Sequence, residues 1–203
     1  MKTRFAFVGF RHNHIFDLLA GVREQADCEL VACCEEDART REALATDERV
    51  SITHADFTAM LHDVECEVIA IGDTYDRRGE LAIQALRAGR HVLSDKPLCH
   101  TLAEQAHLED LVGLRKLSVG LQLDCRGAGP FIRLREIIAE GLIGEVATVH
   151  VGGQHPLSLG TRPAWYFEPE RHGGTINDIG IHAFDLVPWL TGQPWEETVA
   201  ARS

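Results

Sequence analysis

The stretch FVGFRHNHIF, Phe7 to Phe16, decides the fold. An apolar, strand-like run stops at Gly9, and apolar residues then recur at helical spacing at Ile15, Leu18, Leu19 and Val22. A strand, a glycine turn and a helix in that order form the unit in which a dinucleotide-binding fold seats a pyrophosphate against a helix start. The usual turn reads G-x-G-x-x-G, but here Arg11 and His14 fill the second and third glycine positions. Gly9 still permits the tight turn. Arg11 either crowds the phosphate or binds it through its guanidinium. An ordinary strand–helix turn fits these residues as well.

The pattern continues outward from this turn. CELVACC, CEVIAIG, HVLSD and LSVGLQL read as further buried strands. Between them lie helical patterns: EDARTREALATDE, then Leu81, Ala82, Ala85 and Leu86 ending at Gly89, then Leu108, Leu111 and Val112 behind a Thr101–Glu104 capping box. Apolar strands alternating with helices imply a parallel sheet covered on both faces. Residues 1–122 are therefore expected to form a Rossmann-type, doubly wound α/β domain. Residues 123–203 differ in texture and are expected to form a partial α/β substrate domain. In it, FIRLREIIAEG reads as a helix, EVATVHVGGQH as a long strand, residues 156–174 as a loop, INDIGIHAFDLVPWL as a helix from about Asp178, and TVAARS as the start of another strand.

Composition narrows the function classes. The chain has 203 residues, 45% hydrophobic and 25% charged, with a formal net charge of −11 and no stripe of Lys or Arg. Nucleic acid and anionic membrane surfaces are poor partners for such a chain. No apolar stretch approaches a membrane span, and Arg11 and His12 interrupt the first apolar run too early for a signal-peptide core. The six cysteines form no C-x-x-C pair, so reduced thiols in a cytoplasmic protein are expected, without disulfide or metal.

Three segments carry candidate chemistry. Glu35 follows the second strand, where an acid accepts hydrogen bonds from the adenosine ribose and repels a 2′-phosphate; a solvated acidic turn is the competing reading. Lys96, in SDKPL, ends a buried strand, where an ammonium favours a substrate alkoxide, although strand-end lysines are commonly plain surface residues. Asp178, His182, Asp185 and Trp189 share one helical face, apart from an apolar stripe of Ile179, Ala183, Leu186 and Leu190. A histidine there suits proton transfer from a hydroxyl, with a carboxylate one turn earlier to orient it; a helix-start carboxylate and a core histidine would look the same.

The order of these pieces, with LAIQALRAGRHVLSDKPL and GGTINDIGIHAFDLVPWLTG as the most specific stretches, resembles the glucose–fructose oxidoreductase and inositol dehydrogenase (Gfo/Idh/MocA) family. The resemblance implies an NAD(P)-dependent oxidoreductase that moves a hydride between nicotinamide and a sugar, cyclitol or related polyol. It implies Lys96, Asp178 and His182 as catalytic residues: His182 takes the hydroxyl proton, Lys96 stabilises the oxygen's charge, and Asp178 orients substrate or imidazole. Gly9, Arg11, His12, Glu35 and Lys96 become the cofactor-binding positions, with NAD expected over NADP. The altered glycine turn, Asp95 in place of the family's glutamate before the lysine, and Asp73–Thr74 with Arg78 ahead of the fourth helix depart from the family pattern. A non-catalytic dinucleotide- or sugar-binding regulatory relative is the alternative. Family members also continue for several more strands, so the chain is expected to be a fragment, and a homo-oligomer when full length.

Overall fold

A computed structural model describes residues 1–201. These residues divide into two compact units: Met1–Gln122 with Pro163–His172, and Leu123–Arg162 with the residues from Gly173 onward.

The first unit is built on a parallel sheet of five strands: β1 (Thr3–Val8), β2 (Cys28–Cys34), β3 (Val68–Ile71), β4 (His91–Asp95) and β5 (Val119–Gln122). Their order is β2-β1-β3-β4-β5, so the winding reverses between β1 and β3. Helices α1 (His14–Glu24), α2 (Ala38–Leu44), α3 (Phe57–Asp63), α4 (Tyr75–Arg87) and α5 (Leu102–Arg115) provide the crossovers. Side chains alternate across β1 as a strand with two buried faces requires. Phe7 packs with Phe10, Ile15, Leu19 and Val22 on one face; Ala6 and Val8 pack with Phe57, Met60, Leu81, Leu86 and Leu108 on the other. The Thr101–Glu104 capping box forms at the start of α5. Helix α3 was not anticipated from the sequence: it is two turns long, too short for periodicity to register, and is fixed by Asp56, whose side chain accepts from Ala59 N–H at 2.7 Å. All six cysteines are free thiols, and burial pushes those of Cys33 and Cys34 up to about 12.

Close packing at the reversal point demands glycine at the end of β1. Gly9 has φ +77°, and a Cβ there would stand 2.5 Å from the Cβ of Asp73 and 2.7 Å from its backbone. Replacing Gly9 by alanine is expected to cost about 2–4 kcal/mol, combining the left-handed backbone with a backbone clash. Urea unfolding measures this directly; a loss below about 0.5 kcal/mol, the range of a neutral surface change, contradicts the tight approach.

The second unit is helical. Helix α6 (Gly129–Ala139) carries Pro130 in its first turn, and α8 (Ile181–Thr191) follows a π-helical turn at Ile176–Gly180; the short helix α7 (Pro169–His172) lies in the returning segment of the first unit. The strand expected over residues 145–155 is absent: that stretch has no ladder partner among the described residues, and an apolar run cannot be a strand without a neighbour to pair with. The strand start expected in TVAARS shows no regular structure over residues 198–201, and its last two residues lie outside the described residues. No helix among the described residues is long and apolar enough to cross a membrane.

Candidate functional site

The carboxyl ends of β1, β3 and β4 meet at the winding reversal, where open α/β sheets take their ligands. Gly9, Asp73 and Lys96 lie there, with Glu35 at the end of β2. Beside them opens a cleft of about 900 Å³, lined by Arg11 and Asn13 of the turn, by Asp37, Arg39 and Thr40 at the start of α2, by Arg49, and by Trp165 and Arg171 of the returning segment. The start of α1 and the guanidinium groups offer N–H donors and positive charge to an anionic group. These residues suit a dinucleotide diphosphate.

Arg11 is anchored as it lines the cleft: its Nε lies 2.6 Å from Asp73 Oδ1. Burial alone lowers the guanidinium pKa, but its hydrogen bond and charge pairing with Asp73 raise it further than burial depresses it. Glu35 is placed differently from the expectation that it reads the ribose. It is fully buried and accepts Phe10 N–H at 2.6 Å and Asp37 N–H at 2.8 Å, one on each oxygen. Burial raises its pKa, opposed by those two backbone hydrogen bonds. Glu35 therefore braces the turn from beneath. The carboxylates that line the cleft are Asp37 and Glu168; the pKa of Asp37 is lowered by hydrogen bonds from Thr40 Oγ1 and N–H, both at 2.8 Å.

The DKP segment is buried: Asp95 and Lys96 are 0% and 1% exposed. Arg78, also fully buried, holds it in place. Its guanidinium donates to Asp95 Oδ2 at 2.9 Å, to the carbonyl of Asp73 at 2.8 Å, and to the carbonyl of Lys96. Asp95 also meets both histidines of the turn, His12 Nδ1 at 2.5 Å and His14 Nδ1 at 3.2 Å. Burial pushes the Asp95 carboxyl up, but the hydrogen bonds from His12 and His14 and the Arg78 charge outweigh it and hold its pKa far below the usual range. Burial lowers the His12 pKa, and the pairing with Asp95 recovers only part of that shift. Burial thus disfavours the charged form of His12 beside the ionised Asp95. The Asp95 substitution that read as a minor departure is thus the centre of a polar network. The H-x-H of the turn was the available sequence signal for it, and the expected role of His12 as a cofactor contact did not reveal it.

In the second unit Asp178 lies in the π-helical turn and is 3% exposed. His182, one turn on, lines a cavity of about 510 Å³ together with Cys125, Phe131, Gly153, Gln154 and His155. Such π turns occur frequently at functional sites. The other two residues on that predicted face are engaged by side chains of the same unit. Asp185 accepts from Arg126 Nε at 2.8 Å, and Trp189 lies 4.7 Å beneath the Arg135 guanidinium. Leu186 and Leu190 are buried, as the apolar stripe implied.

A parallel sheet with this reversal point, a glycine turn and a cation-lined cleft at its carboxyl edge defines a Rossmann dinucleotide-binding protein. Residues 3–121 match the oxidoreductase family described as having an NAD-binding Rossmann fold, and residues 131–203 match the GFO/IDH/MocA C-terminal domain. The chain belongs to the Gfo/Idh/MocA oxidoreductase family. It is 31% identical over 182 residues to D-glucoside 3-dehydrogenase of Escherichia coli, covering 87% of this chain and 50% of that one. It is 26% identical over 193 residues to inositol 2-dehydrogenase of Salmonella typhimurium, covering 93% of this chain and 53% of that one. Its fold matches that of myo-inositol 2-dehydrogenase from Lactobacillus plantarum with a TM-score of 0.80 at 24% identity, over 95% of this chain and 57% of that one. The chain spans about half the length of the curated relatives it matches.

Proposed function

We propose that the protein is an NAD-dependent oxidoreductase acting on an alcohol carbon of a sugar, cyclitol or related polyol. The observation that carries this reading is the arginine-lined cleft at the Gly9 turn, with the buried Lys96 at the end of the neighbouring strand pair. Residues 1–122 supply the dinucleotide domain on this reading and residues 123–203 the substrate domain. The nicotinamide, when bound, accepts or returns the hydride. Lys96 stabilises the negative charge that develops on the substrate oxygen, His182 exchanges the hydroxyl proton, and Asp178 orients the imidazole or the substrate. Gly9, Arg11 and His12 belong to the turn that holds the cofactor. Relatives named for glucoside, inositol and anhydrofructose substrates support the polyol class. The same reading assigns the protein to the cytoplasm, with a small-molecule partner and, when full length, a homo-oligomeric state.

Choice of cofactor falls to Asp37, because Glu35 is turned away beneath the turn. Asp37 is held in place on the cleft wall as an ionised carboxylate, and it repels a 2′-phosphate. Fluorescence titration is expected to show NADH binding at least about tenfold more tightly than NADPH, a difference of about 1.4 kcal/mol. Asp37→Asn is expected to narrow that ratio. Tighter NADPH binding would transfer the selection to Arg39 and refute the NAD assignment.

The second reading, a non-catalytic binding relative, is favoured by one observation: the Arg11 charge is already paired with Asp73. Nicotinamide absorbance with a panel of polyols separates the two. Turnover establishes the enzyme, and cofactor binding without turnover establishes the relative.

A further inference from the structure

Arg11 stands where the usual turn has its second glycine, and its side chain has one ion-pair partner among the described residues, Asp73 Oδ1 at 2.6 Å from Nε. The two members of this pair are held very differently. Asp73 is 1% exposed and fixed on several sides. Its backbone carbonyl accepts from Arg78 Nε at 2.8 Å, its Oδ1 accepts the Thr74 N–H at 2.6 Å, and its Oδ2 faces Arg77 Nε at 3.4 Å. The Arg11 backbone is pinned as well, because its carbonyl accepts the Trp165 indole N–H at 3.3 Å. The Arg11 side chain is not: it reaches the wall of the cleft and is tied down by Asp73 alone.

The pair is therefore asymmetric. A buried carboxylate stripped of every cation is strongly disfavoured, but Asp73 keeps Arg77 when Arg11 leaves. Arg77 is itself shared. It also pairs with Glu36 Oε2, and Glu36 Oε1 accepts the Phe57 N–H at 3.0 Å. The part of the Arg77 charge that Glu36 does not take sets how readily Asp73 gives up Arg11. On the ligand side, the second glycine of the usual turn serves to let the backbone approach a pyrophosphate. Here a guanidinium occupies that position, and its planar fork of donors matches phosphate oxygens.

We propose that Asp73 is an affinity-determining residue of the cofactor site: it holds the Arg11 guanidinium until a diphosphate takes it over, and Arg77 then remains as its cation. That the diphosphate belongs to a nicotinamide dinucleotide rests on the oxidoreductase reading; the exchange itself does not. Only the Arg11 side chain turns, since Trp165 holds its backbone and Arg78 holds that of Asp73. A diphosphate brings at least two negative charges and several acceptor oxygens against one carboxylate already shared with Arg77, so it competes for the guanidinium. The Arg11–Asp73 pair thus becomes the resting state of a binding site.

Inorganic pyrophosphate, titrated calorimetrically into the full chain at fixed ionic strength, is the probe. Asp73→Asn removes the competing charge, keeps an acceptor for the Thr74 N–H, and is expected to tighten pyrophosphate binding about tenfold. Arg11→Gln is expected to weaken it about tenfold. The double variant separates exchange from bulk charge: with Arg11 gone, the gain from Asp73→Asn should vanish. A gain of the same size without Arg11, an Asp73→Asn protein that binds no tighter than wild type, or no pyrophosphate binding by any of the four proteins would overturn the exchange. Should Asp73→Asn fail to fold by circular dichroism, Glu36→Gln is the second variant. It keeps an acceptor for the Phe57 N–H, frees Arg77 toward Asp73, and is expected to tighten pyrophosphate about threefold, again only while Arg11 is present. No gain, or an equal gain beside Arg11→Gln, would overturn the proposal by this route. NADH fluorescence titration of the same proteins keeps the two readings apart. The expected pyrophosphate pattern in a protein that binds no NADH would support the exchange and count against the oxidoreductase reading. NADH bound equally by wild type and Asp73→Asn would leave that reading standing and overturn the exchange.

Discussion

On the proposed assignment, replacing His182 by alanine is expected to lower turnover about 10²- to 10⁴-fold and replacing Lys96 by alanine about 10²- to 10³-fold, with NADH affinity changing far less in each. The asymmetry is the informative part. A proton-transfer group and a charge-stabilising ammonium act on the reacting oxygen as its charge changes, so their loss appears in kcat. The same proposal assigns cofactor grip to the Gly9 turn and the guanidinium rim, which neither substitution touches. Steady-state kinetics at the nicotinamide absorbance band, paired with fluorescence titration of NADH, separates the two quantities. Equal loss of kcat and of affinity would contradict the assigned roles. For Lys96 a fold control is needed, because the residue is 1% exposed and its stem packs in the interior.

The largest expected effect on stability falls on Arg78. Its guanidinium and the Asp95 carboxylate are both fully buried, and it also holds the carbonyls of Asp73 and Lys96. Arg78→Met leaves Asp95 buried without its cation and is expected to cost about 3–5 kcal/mol, read as a lower urea midpoint. Adding Asp95→Leu removes the stranded charge, so the double variant should recover part of the loss. No recovery would mean that the carbonyl contacts, not the ion pair, carry the effect. Acid sensitivity follows from the same cluster. The pKa values of Asp95 and His12 are both lower in the folded protein than in the unfolded chain. The unfolded chain therefore takes up protons first. Stability from His12 is present above about pH 6.5 and is lost as pH falls below it, by up to about 1.4 kcal/mol per unit; the Asp95 contribution begins to go only below about pH 4. Arg78→Met relaxes the depression at Asp95, so the variant should lose less on acidification below pH 4 than the wild type does.

The sheet was legible because strands buried on both faces read as apolar runs, as FAFV of β1, LVACC of β2 and VIAI of β3 do. Lys96 and His182 were legible as strand-end and helix-face residues. What residue order could not convey was direction. The position of Glu35 suits a ribose contact, but its extra methylene relative to aspartate lets the carboxylate reach back to Phe10 N–H. Arg78 was noticed only as a departure from a motif, because a charged residue in a helix reads as solvent-facing until a buried carboxylate is found opposite it. EVATVHVGGQH has strand-like composition, but pairing is a property of two segments, and the second is not encoded in the first. Asp185 and Trp189 shared a face with Asp178 and His182, yet α6 and its preceding turn engage them for packing.

The returning segment has a practical meaning for anyone dividing this chain. Trp165 donates its indole N–H to the Arg11 carbonyl at 3.3 Å, and its ring packs 5.0 Å from that of Tyr75. An expression clone that stops where the last strand ends would omit that indole and the Tyr166 phenol, leaving the imidazole at position 12 and the ring at position 75 open to water. A nucleotide-binding module excised from this sequence should therefore carry the downstream aromatic peptide with it, tethered or added as a separate strand of synthetic chain.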